Sequence, residues 1–277
     1  MIEIKNLTKK FADFTAVDHV NLNIETGEFF GLLGPNGAGK TTTISMLSTI
    51  LLPTDGEILI DGVKIDRKAS SLRRKLSVIT QEYSMRQDMT ADEVMEYQGR
   101  LYYMPKKVIR EKTDELLEYY GLAGYRNRSV RRMSGGMKRK LMICRALMTE
   151  PEILLLDEPT AGMDALSRRQ MWNLLRQVNN KNMTIVLTTH YMEEAQALCD
   201  RVALLNGGKL QKCDSPEALI KELGAFAVDK TTEKGLVSRY FHDRKDAIAY
   251  LESEEGDTSF RATTLEDVFV VCAGRKL

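Results

Sequence analysis

The chain has 277 residues, 43% hydrophobic and 29% charged, a balance that suits a folded protein with a sizeable core. Lys plus Arg number 40 against 39 Asp plus Glu, so a net charge of +1 offers no bulk attraction to nucleic acid. No apolar run approaches the roughly 18 residues of a membrane helix, and Met1-Ile2-Glu3-Ile4-Lys5 is not a signal peptide. Any membrane span must then come from another chain. Cys144, Cys199, Cys213 and Cys272 have neither C-x-x-C nor Cys/His metal spacing, so they are expected to be reduced and packed, with no structural zinc.

Residues 1–24 alternate as two strands around a turn at Ala12-Asp13-Phe14, with Phe11 among them. Glu25 to Glu28 form a turn into the apolar run Phe29 to Leu33, which reads as a buried strand. Gly34-Pro35-Asn36-Gly37-Ala38-Gly39-Lys40-Thr41 then fits the phosphate-binding pattern G-x-x-x-x-G-K-[ST], and Thr42 follows it into a helix from Thr41 to about Leu47. Glycines let the backbone approach an anion, and the new helix aims its positive end at the same point. Lys40 supplies a charge for the β- and γ-phosphates, and Thr41 a hydroxyl for Mg²⁺.

After a turn at Pro53 to Glu57, Ile58 to Ile60 read as a strand entering a hairpin at Asp61-Gly62. A mostly antiparallel sheet is therefore expected beside the nucleotide core. Ser70 to Leu76 suggest a short helix and Ser77 to Thr80 a strand, with Gln81 at the C-terminal end where open α/β sheets meet their ligands. From Thr90 to about Met148 the pattern is helical. Thr90-Ala91-Asp92-Glu93 opens with a capping box, Glu111 to Tyr120 is amphipathic, and Ser134 caps a helix running to Thr149 or Glu150. Ser134, Gly135 and Gly136 at that helix start form a candidate second anion site; an ordinary helix start is the equal alternative. The cations Arg126, Arg128, Arg131, Arg132, Lys138, Arg139 and Lys140 read mainly as a solvated face.

Ile153 to Leu156 form a buried-strand run ending in Asp157 and Glu158, the Walker B pattern, which suits Asp157 to Mg²⁺ and Glu158 to an attacking water. Ala161-Gly162-Met163-Asp164 turns into a helix from Ala165 to Val178, and the strand Thr184 to Thr189 ends at His190. A helix from Tyr191 to Cys199, a strand from Val202 to Leu205 with a turn at Asn206-Gly207-Gly208, and a helix from Ser215 to Gly224 follow. Residues 225–277 read as strand, helix (Asp243 to Leu251), strand and terminal helix (Leu265 to Cys272).

Taken together, Gly34 to Thr41, Gln81, Ser134-Gly135-Gly136, Leu154 to Glu158 and His190 resemble, in order, the five motifs of ATP-binding-cassette (ABC) ATPases, over about Ile2 to Leu223. The resemblance implies an α/β fold. It would have a P-loop NTPase core, an N-terminal antiparallel β-subdomain, a helical insertion at about 82–150 within an ATPase domain of 1–223, and an α+β appendage at 224–277. It implies that Phe11 stacks on adenine, that residues 34–42 hold ATP, and that Thr41, Gln81 and Asp157 hold Mg²⁺. Glu158, His190 and Gln81 would be catalytic. Ser134, Gly135 and Gly136 would bind the ATP of a partner subunit in a homodimer, and Asp164 would sit in the loop crossing that interface. Met137 replaces the commoner Gln of the signature, which leaves phosphate contact to backbone N–H groups and Ser134. The signature run and Thr264-Leu265-Glu266-Asp267-Val268-Phe269 are similar to the drug, lipid and polysaccharide exporter branch of daunorubicin-resistance type. The expectation is an ATPase at the cytoplasmic side of the membrane, powering export through a separate permease. A soluble ABC ATPase acting on DNA or ribosomes is the alternative.

Overall fold

In the computed structural model the described residues are all of 1–277 except 67–71, 73, 81–84, 180–182, 234, 255 and 275–277. The central sheet follows from short runs with apolar centres. Strand β3 (Phe29–Leu33), β7 (Ile153–Asp157) and β8 (Thr184–Thr189) are buried at every position, as strands covered on both faces must be. They lie parallel with β6 (Leu76–Ile79) and β9 (Arg201–Asn206), and β10 (Lys209–Asp214) closes one edge antiparallel, in the order β10-β9-β3-β8-β7-β6.

The period of two along these strands divides the core. Phe30, Leu32, Leu155, Val186, Ala203 and Leu205 face one layer. That layer holds helix α1 (Lys40–Leu47) and an antiparallel sheet in which β1 (Ile2–Phe11) lies between β2 (Phe14–Ile24) and β4 (Asp55–Ile60), with β5 (Val63–Lys64) beyond. Phe29, Leu33, Leu154, Leu156, Ile185, Leu187, Val202 and Leu204 face the opposite layer, made mostly of helices. It includes α2 (Ala91–Leu101), α3 (Lys106–Tyr119), α4 (Gly135–Leu147), α5 (Ala165–Asn179), α6 (Met192–Leu198) and α7 (Pro216–Leu223).

Caps set the helix starts. The Thr90 side chain accepts from Glu93 N while Glu93 accepts from Thr90 N, completing the expected capping box. Ser134 caps α4 through Met137 N. Helix α3 starts earlier than expected, at Lys106, and α4 ends sooner, at Leu147. The short helix expected over Ser70 to Leu76 falls largely outside the described residues, and Leu76 itself opens β6. The basic run is not one solvated face. Arg126 pairs with Asp92 and Asp114, and Arg139 is buried and donates to the Thr80 carbonyl.

Residues beyond 224 carry one strand more than expected. β11 (Phe226–Thr232) lies between β12 (Gly235–Phe241) and β13 (Thr258–Ala262), with α8 (Arg244–Ser253) against them and α9 (Leu265–Cys272) packed on α6 and α7. Arg261 joins sheet to helix. It meets Asp229 at 2.6 Å and Asp267 at 2.7 Å, while Ser238 donates to Asp229 and Tyr240 to Asp267. Burial opposes ionisation of Asp267, but Arg261 and the Thr264 amide and hydroxyl outweigh it and hold the carboxyl below its ordinary range. Its contribution to stability is therefore full above the ordinary carboxylate range and is lost as pH falls through the lowered value. Arg261→Ala leaves two buried carboxylates without their cation. We expect a loss on the order of 3 kcal/mol, the low end for buried pairs because Arg261 is itself one-third exposed, measured by urea unfolding. A change below about 0.5 kcal/mol, the range of an ordinary surface substitution, would remove the network from the account of stability.

Candidate active site

The turn between β3 and α1 is shaped by glycine. A Cβ on Gly34 would lie 2.3 Å from the Leu205 carbonyl oxygen. Gly39 has φ +97°, and a Cβ there would meet the Ala16 carbonyl oxygen at 2.4 Å. Only glycine fits either place. No side chain caps α1 at Gly39, so the first N–H groups of the helix remain donors for an anion.

Lys40, the first residue of α1, is buried, and its Nζ donates to the carbonyls of Gly34 at 2.8 Å and Pro35 at 3.1 Å. Burial pulls its pKa down, against the opposing pull of Glu158 and Asp157. Thr41 Oγ1 donates to Asp157 Oδ1 at 3.1 Å, and Thr188 Oγ1 donates to the same oxygen at 2.5 Å. A hydroxyl from α1 and a carboxylate from the end of β7 thus converge, a pair of hard oxygen donors suited to Mg²⁺.

Glu158 follows β7 in the left-handed region, φ +47°, a conformation costly for a side chain with a Cβ. Its N–H is fixed by the Thr188 carbonyl and hydroxyl, both at 3.1 Å. Its carboxylate lies between Lys40 Nζ, 3.7 Å from Oε1, and His190 Nδ1, 3.2 Å from Oε2. A base placed between two cationic or polar partners beside a phosphate loop can orient and deprotonate water.

These groups border a cavity of about 530 Å³, lined by residues 36–42, Glu158, His190 and Tyr191, with Phe14 and Ala16 from the β1–β2 hairpin and Ala161-Gly162. Phe11 pairs with Phe14 across the hairpin end but is not on the cavity wall, and both rings are exposed. A second concavity of about 570 Å³ holds Ser134, Gly135, Gly136 and Met137 with Asp164 and Gln170, and it shares Ala161 and Gly162 with the first. Asp164 caps α5, accepting from Ser167 N at 2.9 Å. Gln81 lies outside the described residues. Phe14, Thr188 and Tyr191 belong to no recognisable motif in the sequence. The nearest thing to a local signal is position: Thr188 stands in a buried strand two residues before His190, and Tyr191 directly after it.

Residues 17–161 match the family described as ABC transporter. A "Probable multidrug ABC transporter ATP-binding protein" of Escherichia coli is 39% identical over 219 residues, 79% of this chain; the chain spans only 38% of that relative's length. A daunorubicin resistance ATP-binding protein of Streptomyces coeruleorubidus is 32% identical, covering 99% of this chain and 96% of that one. Among solved structures, a dimeric ATP-binding cassette in a post-hydrolysis state with ADP and Pi superposes with a TM-score of 0.69 at 30% identity, covering 78% of this chain and 98% of its own. On the phosphate loop, the carboxylate pair and these relatives together, the chain belongs to the ABC transporter family.

Proposed function

We propose that this chain binds and hydrolyses ATP as one of two identical subunits that drive export through a separate membrane permease. The observation that carries the reading is Glu158, held between Lys40 and His190 at the mouth of the glycine loop. In this reading residues 1–223 are the ATPase domain, about 82–150 its helical insertion, and 224–277 an appendage. Residues 34–42 receive the triphosphate. Thr41 and Asp157, with Gln81, would hold Mg²⁺, which when bound offsets the charge of the phosphate oxygens. Glu158 accepts the proton of the attacking water, and His190 orients that carboxylate and faces the γ-phosphate. Ser134, Gly135 and Gly136 present a helix N-terminus to the nucleotide of the second copy, and Asp164 meets that copy at the interface.

The export reading is supported by the drug-resistance relatives, and the membrane partner by what the chain exposes. No helix of the described residues is long and apolar enough to cross a membrane. Tyr97, Leu101 and Tyr103 are exposed on and just beyond α2, a surface for the permease at the cytoplasmic face. Affinity purification from native membranes tests the reading. A polytopic membrane protein retained at high salt, with ATP hydrolysis by the complex, is expected. A salt-sensitive nucleic-acid complex in its place would overturn it.

Adenine is assigned to the aromatic end of the β1–β2 hairpin, where Phe11 and Phe14 sit side by side. Phe11→Ala and Phe14→Ala are each expected to weaken ATP binding roughly 2- to 12-fold, the value of one aromatic stack of about 0.5–1.5 kcal/mol, read by calorimetry. If only Phe14→Ala has an effect, the stacking role moves from Phe11 to its neighbour. Unchanged affinity in both variants removes the hairpin from the site.

A further inference from the structure

Among the described residues, the phosphate chemistry leaves one fully buried carboxylate unused. Glu194 lies on α6, four residues after His190. Its Oε1 accepts hydrogen bonds from Thr160 Oγ1 at 2.8 Å and from Trp172 Nε1 at 3.0 Å. Its Oε2 has no hydrogen-bond partner among the described residues. Burial pushes the carboxyl above its ordinary range, against the opposing effect of the Thr189 and Thr160 hydroxyls, the Trp172 indole and the Arg168 charge. An apolar side chain would fill the same space without that cost.

What the carboxylate joins explains its presence. Thr160 belongs to the loop that leaves Glu158 and ends at Asp164. Trp172 stands on α5, about two turns beyond Asp164. Glu194 stands on the helix that follows His190. One side chain therefore ties together the loop leaving the base, the helix that Asp164 caps, and the helix behind His190. A second contact runs parallel to it. The Arg168 guanidinium, in the first turn of α5, lies 4.8 Å over the Tyr191 ring, and that ring is 4.1 Å from the His190 ring. His190 in turn meets Glu158.

The geometry points to Glu194 as a positioning residue that makes loop 160–164, α5 and the start of α6 move as one body, so that pressure on Asp164 from a second copy reaches His190 and Glu158. The inference rests on the ATP-dependent dimer proposed above. It adds the internal linkage by which each site senses the other subunit. Without Glu194 the phosphate loop is untouched, so nucleotide still binds, but the base and His190 are no longer set by the interface.

The molecule carries its own reporter, because Trp172 is the single tryptophan in the chain. The full-length protein with Glu158→Gln, which keeps ATP uncleaved, is titrated with Mg-ATP while Trp172 emission and binding of radiolabelled ATP are followed separately. A shift of emission with ATP is expected in Glu158→Gln and not in Glu158→Gln/Glu194→Ala, with ATP binding within about 3-fold in both, since no phosphate contact is altered. In steady state, Glu194→Ala is expected to lower kcat about tenfold with little change in KM, and Glu194→Gln, which keeps an acceptor oxygen, to restore most of it. If Glu194→Ala does not fold, Thr160→Val removes one donor in its place and is expected to show the same kcat-against-KM split at smaller size. Full kcat in a folded Glu194→Ala or Thr160→Val protein, or an emission change that persists without Glu194, overturns the inference. Absence of ATP binding in the parent chain overturns the ATPase reading itself. Normal binding with an unmoved Trp172 overturns only the linkage.

Discussion

Glu158→Gln is expected to bind ATP at least as tightly as the parent chain while hydrolysing it at least about 100-fold more slowly, the usual scale for loss of a positioned general base. Gln is isosteric with Glu, and the backbone that aims residue 158 is fixed elsewhere, by the two Thr188 contacts to its N–H and by its left-handed φ. The substitution therefore removes charge and basicity with little change of geometry. Binding follows from charge. In the parent, Lys40 Nζ sits 3.7 Å from the Glu158 carboxylate, so an arriving γ-phosphate meets a negative neighbour. Neutralising that neighbour lowers the repulsion and frees Lys40 for the phosphate. Trapped nucleotide should then hold two copies together, visible as an ATP-dependent dimer in size-exclusion chromatography. Steady-state hydrolysis at the parental rate would take the base role away from Glu158, and loss of ATP binding would mean that residue 158 shapes the pocket instead.

The elements that bring these residues together were readable where burial is total. β3, β7 and β8 are covered on both faces, so each is built on a short apolar run, and the functional groups stand at or just beyond the ends of those strands: Gly34, Asp157-Glu158 and His190. Strands covered on one side carry no such mark. β10 reads Lys-Leu-Gln-Lys-Cys-Asp and pairs only with β9; β12 is exposed along most of its length. Neither shows the alternation that a half-buried strand needs to be recognised. Phe14 carries no local mark for another reason. Its place on the cavity wall depends on the β1–β2 hairpin approaching the glycine loop, an approach between segments more than twenty residues apart. The left-handed turn at Glu158 and the meeting of Glu194 with Thr160 and Trp172 are likewise products of tertiary packing. No spacing rule in the sequence brings positions 160, 172 and 194 to one point.

Lys40→Ala tests the other half of the site, and the two halves are coupled. As the structure stands, the Lys40 ammonium is retained inside the loop by two carbonyls and by Glu158. Burial disfavours its charge. A buried cation whose anionic neighbours, among the described residues, are the carboxylates at the end of β7 is poised to exchange weaker partners for a triphosphate, and charge-assisted hydrogen bonds to phosphate are the stronger set. Removing it should cost about 1.5–3 kcal/mol of binding, a rise in the ATP dissociation constant of roughly 10- to 150-fold. The measurement belongs in the Glu158→Gln background, where ATP survives the titration. It also separates two effects. In the parent, Lys40 must loosen its contact with Glu158 to reach the phosphate, which offsets part of its gain; in Glu158→Gln that offset is gone. The penalty for Lys40→Ala should therefore be larger in Glu158→Gln than in the parent, a non-additivity expected of groups in direct contact. Equal penalties in the two backgrounds would mean that Lys40 and Glu158 act independently. An unchanged dissociation constant in Glu158→Gln would mean that the glycine loop holds phosphate through its backbone and helix end alone.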